Sequence, residues 1–142
     1  MTMWVDFKKL REDAVGPKQA TEGAAGFDLT ATSINLEAQY VEYGTGLAVA
    51  IPAGYVGLLF PRSSCSTKGV SLANSVGVID SDYRGEVKLR YYTVSEFAGH
   101  YSIGERIGQL VILPRPQVTM LEVDELDETE RGEGGFGSTG TS

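Results

Sequence analysis

The strongest constraint on the fold is that short apolar segments alternate with chain-breaking residues from Gly23 to Val123. Segments rich in β-branched and aromatic residues, several with apolar side chains at every second position, are typical of half-buried strands. Six such segments are residues 27–31, 47–51, 55–60, 86–93, 107–113 and 118–123. Breakers such as Pro52-Ala53-Gly54 fall at the spacing expected of a sandwich or barrel. The sequence therefore predicts an all-β domain with jelly-roll-like connections.

Little helix is predicted, because no long segment keeps the 3.6-residue period of an amphipathic helix. One helical turn is predicted over residues 64–68. Gly69 would end it, since glycine readily adopts the left-handed conformation found after helices. In the segment 86–93, Val87, Leu89 and Tyr91 would share one face of a strand.

Length and charge narrow the class of protein. A chain of 142 residues has the usual size of one domain. Its apolar runs, such as residues 110–113, are far shorter than the roughly 20 residues of a spanning helix, and a signal-peptide pattern is missing. We therefore expect a cytoplasmic protein without a membrane partner. The formal net charge of −7 argues against a nucleic-acid partner, which would require clustered Lys and Arg.

The end of the chain departs from the strand pattern. Residues 122–130 are strongly acidic and residues 132–140 are rich in glycine. This composition is typical of a solvated linker and a frayed tail. Arg131 and Phe136 favour a functional arm instead, because a purely flexible tail needs no aromatic residue among glycines. The sequence therefore divides into a β-barrel domain, residues 1–130, and a flexible glycine-rich arm, residues 131–142.

An acidic turn is the first candidate for chemistry. Asp80 follows the apolar segment Gly77-Val78-Ile79, so a predicted strand delivers a carboxylate directly into a turn. If the chain is extended there, Asp80 and Asp82 point to one face and Tyr83 to the other. The same residues also fit a plain hairpin turn rich in Asp and Gly.

The loop Pro61-Arg62-Ser63-Ser64 is the second candidate, because a guanidinium and successive backbone N–H groups can bind phosphate. Such loops are also common as plain surface turns. The tail lacks the Gly-Lys-[Ser/Thr] of a P-loop, which disfavours a Walker-type nucleotidase. The only histidine, His100, and the only cysteine, Cys65, lack a nearby catalytic partner and are predicted to be structural.

Five segments in order resemble the trimeric dUTPase family over residues 24–140. They are Ala25-Gly26-Phe27-Asp28-Leu29, Pro61-Arg62-Ser63-Ser64, Asn74-Ser75-Val76-Gly77-Val78-Ile79-Asp80-Ser81-Asp82-Tyr83-Arg84-Gly85-Glu86, Gly104-Glu105-Arg106-Ile107-Gly108-Gln109-Leu110 and Arg131-Gly132-Glu133-Gly134-Gly135-Phe136-Gly137-Ser138. The resemblance implies hydrolysis of dUTP to dUMP and pyrophosphate, which supplies dUMP for thymidylate synthesis and keeps uracil out of DNA. The chain departs from the family at Ser64, where many members have glycine.

The resemblance also implies how the phosphates are bound. Asp80 would activate the water that attacks the α-phosphorus. The residues that would hold the phosphate chain are Arg62, Ser63, Ser64, Gln109, Arg131, Gly137 and Ser138. Mg²⁺ would bind chiefly to the phosphates and to water, with Asp28 acting through a water.

Selectivity is implied in the same way. A hairpin that returns through Val87-Lys88-Leu89 would bind the uracil edge. The residues implied for that contact are Asn74, Gly77, Val78, Ile79 and Lys88. Tyr83 would exclude a ribose 2′-OH, and Phe136 would stack on uracil when the arm closes. Each active site of the homotrimer would be assembled from three subunits.

Two other functions stay open from the sequence. A dCTP deaminase of the same fold shares an Arg-Ser-Ser loop and a glycine-bearing tail. Its expected catalytic glutamate is missing, and the Asp80-Ser81-Asp82-Tyr83 turn matches the hydrolases instead. A nucleotide-binding regulatory protein would keep the pocket without turnover, whereas the presence of Asp80 and Arg131 favours hydrolysis.

Overall fold

The computed structural model describes residues 2–94 and 99–140, so Met1, residues 95–98 and the last two residues of the expected arm lie outside the described part. The described residues form ten short strands and one helical turn. In chain order they are β1 (Asp6–Lys9), β2 (Phe27–Thr30), β3 (Ser33–Leu36), β4 (Val41–Gly44), β5 (Leu47–Ala50), β6 (Tyr55–Phe60), α1 (Cys65–Lys68), β7 (Val70–Leu72), β8 (Gly77–Ile79), β9 (Lys88–Thr93) and β10 (Arg106–Pro114). The prediction of an all-β fold is confirmed.

The strands form two four-stranded antiparallel sheets and a two-stranded ribbon. One sheet has the order β2-β10-β6-β8, the other has the order β3-β4-β9-β7, and β1 pairs with β5 in the ribbon. Consecutive strands often lie in different sheets, as β7 and β8 do. This crossing between sheets is the connectivity of a jelly roll.

The core lies between the two large sheets, because buried side chains from both belong to one apolar cluster. In β9, buried Leu89 and Tyr91 alternate with exposed Lys88 and Arg90. Val87, just before this strand, is also buried. The predicted shared face of these apolar residues is therefore confirmed, and it faces the core.

An irregularity in β10 brings the sheets into close contact. The register shifts between Arg106 and Gly108, and both Ile107 and Leu110 are buried although they are three positions apart. A Cβ at Gly108 would lie 2.6 Å from Leu89 Cδ2 and 3.0 Å from the Phe60 carbonyl oxygen. Only a residue without a side chain therefore fits where β9 crosses β10.

Five of the six predicted strands are present, as β2, β5, β6, β9 and β10, with ends that differ by two residues at most. The predicted helical turn is also present as α1, with Gly69 in the left-handed conformation at its end, φ 68°. No helix among residues 2–94 and 99–140 has the length and apolar content needed to cross a membrane.

The strand predicted at residues 118–123 is wrong, since the structure has no strand there. Pro114 and Pro116 precede the segment and cannot donate a backbone hydrogen bond, so the pairing that β10 makes does not continue. Val118, Met120 and Leu121 are exposed. These side chains alternate as in a strand, but they do not pack on a sheet of the described residues.

Candidate active site

A groove with a volume of about 590 Å³ lies between β8 and β9, which belong to different sheets. Its wall combines buried apolar side chains with exposed polar ones. The predicted site residues that line it are Asn74, Gly77, Val78, Ile79, Asp80, Tyr83 and Lys88. The structure therefore brings the residues implied for the uracil, the deoxyribose and the attacking water to one place.

Asp80 follows the short edge strand β8. Ile79 is buried and pairs with Gly57 of β6, and Asp80 follows it as an exposed side chain. The Tyr83 N–H then donates to the Asp80 carbonyl oxygen at 3.1 Å, which closes a turn. The carboxylate is thus attached to a fixed backbone but open to solvent.

The chain is not extended at this point, and the turn that the sequence also allowed is present. Because the backbone turns, Asp80 and Tyr83 line the same groove, whereas Asp82 is not among the described residues that line it. The implied hairpin is also absent from the described pairing. β8 pairs with β6, and β9 pairs with β4 and β7, so the groove opens between the sheets and not within one hairpin.

Tyr83 folds back over a glycine. Its hydroxyl donates to the Glu86 carbonyl oxygen at 2.9 Å. A Cβ at Gly85 would lie 2.4 Å from the Tyr83 hydroxyl oxygen and 2.6 Å from its Cζ. The absence of a side chain at Gly85 therefore allows the Tyr83 ring to take this position in the groove.

Charged side chains stabilise the opposite wall of the groove. Glu42 of β4 accepts a hydrogen bond from Arg90 Nε at 2.7 Å, and Lys88 Nζ lies 3.5 Å from its other oxygen. The Arg90 hydrogen bond is the main cause that lowers the Glu42 pKa below its usual value. The Arg90 guanidinium also lies 4.7 Å from the centre of the Tyr40 ring. These contacts keep Glu42 ionised but paired beside the groove.

A second, smaller depression of about 250 Å³ lies between the loop after β6 and the start of β10. Among its lining residues, Arg62, Lys68 and Arg106 are basic and Glu105 is acidic. Arg62 Nη1 donates to the Arg106 carbonyl oxygen at 3.3 Å, which ties the loop to the strand. We call this region the cationic depression.

The neighbouring ends of β2, β6 and β10 carry the other residues implied for phosphate and metal. Gln109 is opposite both Asp28 and Phe60 in the strand register. Its side-chain amide lies 3.5 Å from the Pro61 carbonyl oxygen. The Asp28 carboxylate, whose side chain is 18% exposed, pairs with Arg106 at 3.1 Å. Asp28 and Gln109 therefore lie near the loop after β6, in which Ser63 is exposed.

The predicted site residues do not form one group on the chain. The groove and the cationic depression share no described lining residue. In the described part of the arm, the hydrogen bonds of Arg131, Gly132, Gly134, Ser138 and Gly140 run only between residues 129 and 140. Phe136 is fully exposed with a positive φ of 53°, and Gly137 has a φ of 80°. The structure thus keeps three parts of the expected site separate.

Several groups beside the candidate site were not predicted from the sequence. They are Glu42, Lys68, Arg90, Tyr101, Glu105 and Arg106. The alternation of β9 would have placed Arg90 on the same face as Lys88. No local signal predicts Glu42 or Tyr101, because their contacts depend on strand pairing and on long-range packing. Cys65 packs against the core, as expected of a structural cysteine.

The chain is thus an all-β protein with one depression lined by Asp80 and Tyr83 and a second lined by three basic side chains. The family model described as dUTPase matches residues 12–140. This chain belongs to the dUTPase family.

Curated relatives match over almost their whole length. The deoxyuridine 5′-triphosphate nucleotidohydrolase of Fusobacterium nucleatum is 46% identical, covering 96% of this chain and 97% of the relative. The protein of the same name from Escherichia phage T5 is 43% identical, covering 94% of this chain and 97% of the relative.

Solved structures match as well. The dUTPase of Staphylococcus bacteriophage 80alpha with dUpNHpp superimposes with a TM-score of 0.82 at 31% identity, covering 99% of this chain and 100% of that one. A variant of the dUTPase from phage phi11 of S. aureus, described with a structural Mg(II) ion, superimposes with a TM-score of 0.74 at 26% identity, covering 87% of this chain and 98% of that one.

We expect Gly85→Ala to displace the Tyr83 ring and to break its hydrogen bond to the Glu86 carbonyl oxygen, because the new methyl group would overlap the ring. A crystal structure of the variant checks this. Gly23→Ala is the matched control, since a Cβ at Gly23 meets nothing within 4 Å. An unmoved Tyr83 ring in the Gly85 variant would contradict the assigned role of this glycine.

Proposed function

We propose that this chain hydrolyses dUTP to dUMP and pyrophosphate by attack of water on the α-phosphorus. The observation that carries the proposal is the exposed Asp80 carboxylate in the groove of a chain that belongs to the dUTPase family. Relatives 43% and 46% identical are named deoxyuridine 5′-triphosphate nucleotidohydrolase. The reaction would supply dUMP for thymidylate synthesis and keep uracil out of DNA. Its location in the cytoplasm stays a prediction.

Asp80 is assigned the role of orienting and deprotonating the attacking water. A carboxylate can accept that proton when it is held within hydrogen-bond reach of the water. The buried, paired Ile79 fixes the backbone directly before Asp80, and the turn to Tyr83 fixes it directly after. The backbone of Asp80 therefore has a fixed position at the groove, from which its carboxylate can reach a water bound there.

The triphosphate is assigned to the loop after β6 and to the arm. Phosphoryl transfer depends mainly on positioning and on neutralising charge, so hydrogen-bond donors and cations are the groups it requires. Arg62, Ser63, Ser64 and Gln109 supply donors next to the cationic depression. Arg131 with the Gly137 and Ser138 amides would close over the far end of the phosphates.

Recognition of uracil is assigned to the edge strand β8. This strand has β6 on one side and no described strand on the other, so the outer backbone groups of Gly77, Val78 and Ile79 can pair with the edge of a base. Asn74 and Lys88 line the same groove. Cytosine presents a donor where uracil presents an acceptor, so it would leave buried groups unpaired.

Two aromatic side chains complete the selectivity. Tyr83 lies in the groove beside Asp80 and would contact the deoxyribose, where a 2′-OH would clash. Phe136 is fully exposed in the arm and would stack on uracil when the arm, residues 131–142, closes over the site. Closure would exclude water other than the attacking molecule.

We assign the complete site to a homotrimer. The groove, the cationic depression and the arm are separate on one chain, and contributions from neighbouring copies would join them into one site. The segment after β10 also exposes Met120, Leu121 and Leu126, apolar side chains that association would cover. Closed symmetric assembly is the usual arrangement of identical subunits.

Mg²⁺ is the cofactor that we assign to the site, bound chiefly by the phosphates and by water. Residues 2–94 and 99–140 contain no group of three or more His, Cys, Asp or Glu side chains that could hold a metal ion. Asp28 already pairs with Arg106, which suits contact through a water better than direct ligation. Magnesium commonly keeps several waters and binds substrate phosphates. When bound, it would neutralise phosphate charge during hydrolysis.

Pyrophosphate release from dUTP, dCTP, dTTP and UTP in the presence of Mg²⁺ tests the proposed function. We expect rapid release from dUTP and at least roughly 100-fold lower kcat/KM for the other three nucleotides, because each leaves polar groups unpaired or clashes with the pocket. Release of ammonia from dCTP without pyrophosphate release from dUTP would instead indicate a deaminase. Binding of dUTP without any turnover would indicate a regulatory binder.

Asp80→Asn is expected to lower kcat for dUTP by roughly 10²- to 10⁴-fold, because the amide cannot accept the proton of the attacking water. Binding of dUpNHpp, measured by calorimetry, should stay close to that of the parent chain. Asp82→Asn is the matched control, since Asp82 does not line the groove in the described structure. Near-normal turnover by Asp80→Asn would remove this residue from its assigned role.

Deletion of residues 132–142 is expected to lower kcat/KM for dUTP by about 100-fold or more, because it removes Phe136 and the closing amides. Sedimentation analysis should show the same assembly before and after deletion. Loss of assembly would show that the arm is structural and does not act as a lid.

A further inference from the structure

Tyr101 lies at the base of the cationic depression and is fixed by the core. Its side chain is 1% exposed. Its ring packs edge-on against Tyr43 and Tyr91, with ring centres 6.0 Å and 5.8 Å apart. Its backbone N–H donates to the Tyr43 hydroxyl at 2.8 Å. The ring therefore has a single well-supported position in the structure.

The Tyr101 hydroxyl lies 2.9 Å from Ser64 Oγ, in the loop assigned to phosphate. Ser64 occupies the N-cap position of α1, where a serine side chain commonly accepts a hydrogen bond from the helix. Here the Ser64 side chain makes no such capping bond. Its orientation is therefore set by Tyr101, which lies 37 positions further along the chain.

The segment that carries Tyr101 is also held from the solvent side. Lys68 Nζ lies 5.6 Å from the centre of the Tyr101 ring and pairs with Glu105 at 3.0 Å. Glu105 in turn accepts a hydrogen bond from the Ser102 N–H at 2.6 Å. Tyr101 is thus held by the core on one side and by an ion pair on the other.

We propose that Tyr101 is a positioning residue that donates its hydroxyl proton to Ser64 Oγ, so that the Ser64 proton is directed at a phosphate oxygen of the bound nucleotide. The inference rests on the proposed assignment of Ser64 to the phosphate chain. Each hydroxyl has one proton, and ionised phosphate oxygens only accept hydrogen bonds. Ser64 can therefore bind phosphate while keeping its contact with Tyr101 only if Tyr101 is the donor.

The geometry allows this direction, because either oxygen of the pair can be the donor at 2.9 Å. An anion in the cationic depression would select the arrangement in which the serine proton faces the anion. Tyr101 then acts without touching the nucleotide, and it reduces the freedom that Ser64 loses on binding. The expected role is in substrate affinity and not in the chemical step.

Tyr101→Phe tests the proposal, because it keeps the ring and removes only the hydroxyl. We expect KM for dUTP to rise roughly 3- to 10-fold, the scale of one neutral hydrogen bond, with kcat changed by less than about twofold. Tyr91→Phe is the matched control, since it removes an equally buried hydroxyl that bonds to the Ile107 carbonyl oxygen and not to Ser64. An equal rise in KM for both variants would overturn the proposal.

A double-mutant cycle separates positioning from general loosening of the core. Ser64→Ala should raise KM at least as much as Tyr101→Phe, and Tyr101→Phe should change KM by less than about twofold when Ser64 is already alanine. Independent, multiplicative effects would overturn the proposal.

Failure of the proposed function can be distinguished from failure of the positioning role of Tyr101. If the parent chain releases no pyrophosphate from dUTP, the proposed function is wrong. The same variants are then compared by calorimetric binding of dUpNHpp. A 3- to 10-fold weaker binding by Tyr101→Phe, absent in the Ser64→Ala background, would support the positioning role independently of turnover. Unchanged binding would overturn it.

Discussion

The close contact between β9 and β10 is the constraint on which the rest of the structure depends. Gly108 allows Leu89 to approach β10, because a Cβ at this position would overlap the Leu89 side chain. One end of β9 then borders the groove through Lys88, while the start of β10 borders the cationic depression through Arg106. Core packing therefore fixes the positions of both depressions.

The charge around the loop assigned to phosphate differs in sign from the net charge of the chain. The chain has a formal net charge of −7, yet three basic side chains surround the loop assigned to phosphate. Two of them, Lys68 and Arg106, are paired with Glu105 and Asp28, which limits the repulsion between them. A small anion can therefore be attracted locally to a protein whose formal net charge is negative.

The sequence predicted every strand longer than four residues, and it missed β1, β3, β4 and β7, which have three or four residues each. β1 exposes all four of its residues and gives no apolar pattern, although it pairs along its whole length with β5. The segment 118–123 has the alternating pattern of a strand, but it pairs with no strand of the described residues. Motifs placed Asp80 correctly in a turn. Glu42 was missed because its partner Arg90 lies opposite it only through the register of β4 and β9.

The separation of the groove from the cationic depression on one chain affects how activity depends on subunit concentration. Under the proposed homotrimer, an isolated subunit would hold only fragments of a working centre. Activity would then depend on subunit concentration more steeply than in direct proportion, and would fall away on dilution. An inactive subunit mixed into the population would also silence sites that its partners help to build, so a minority of defective chains would have a disproportionate effect.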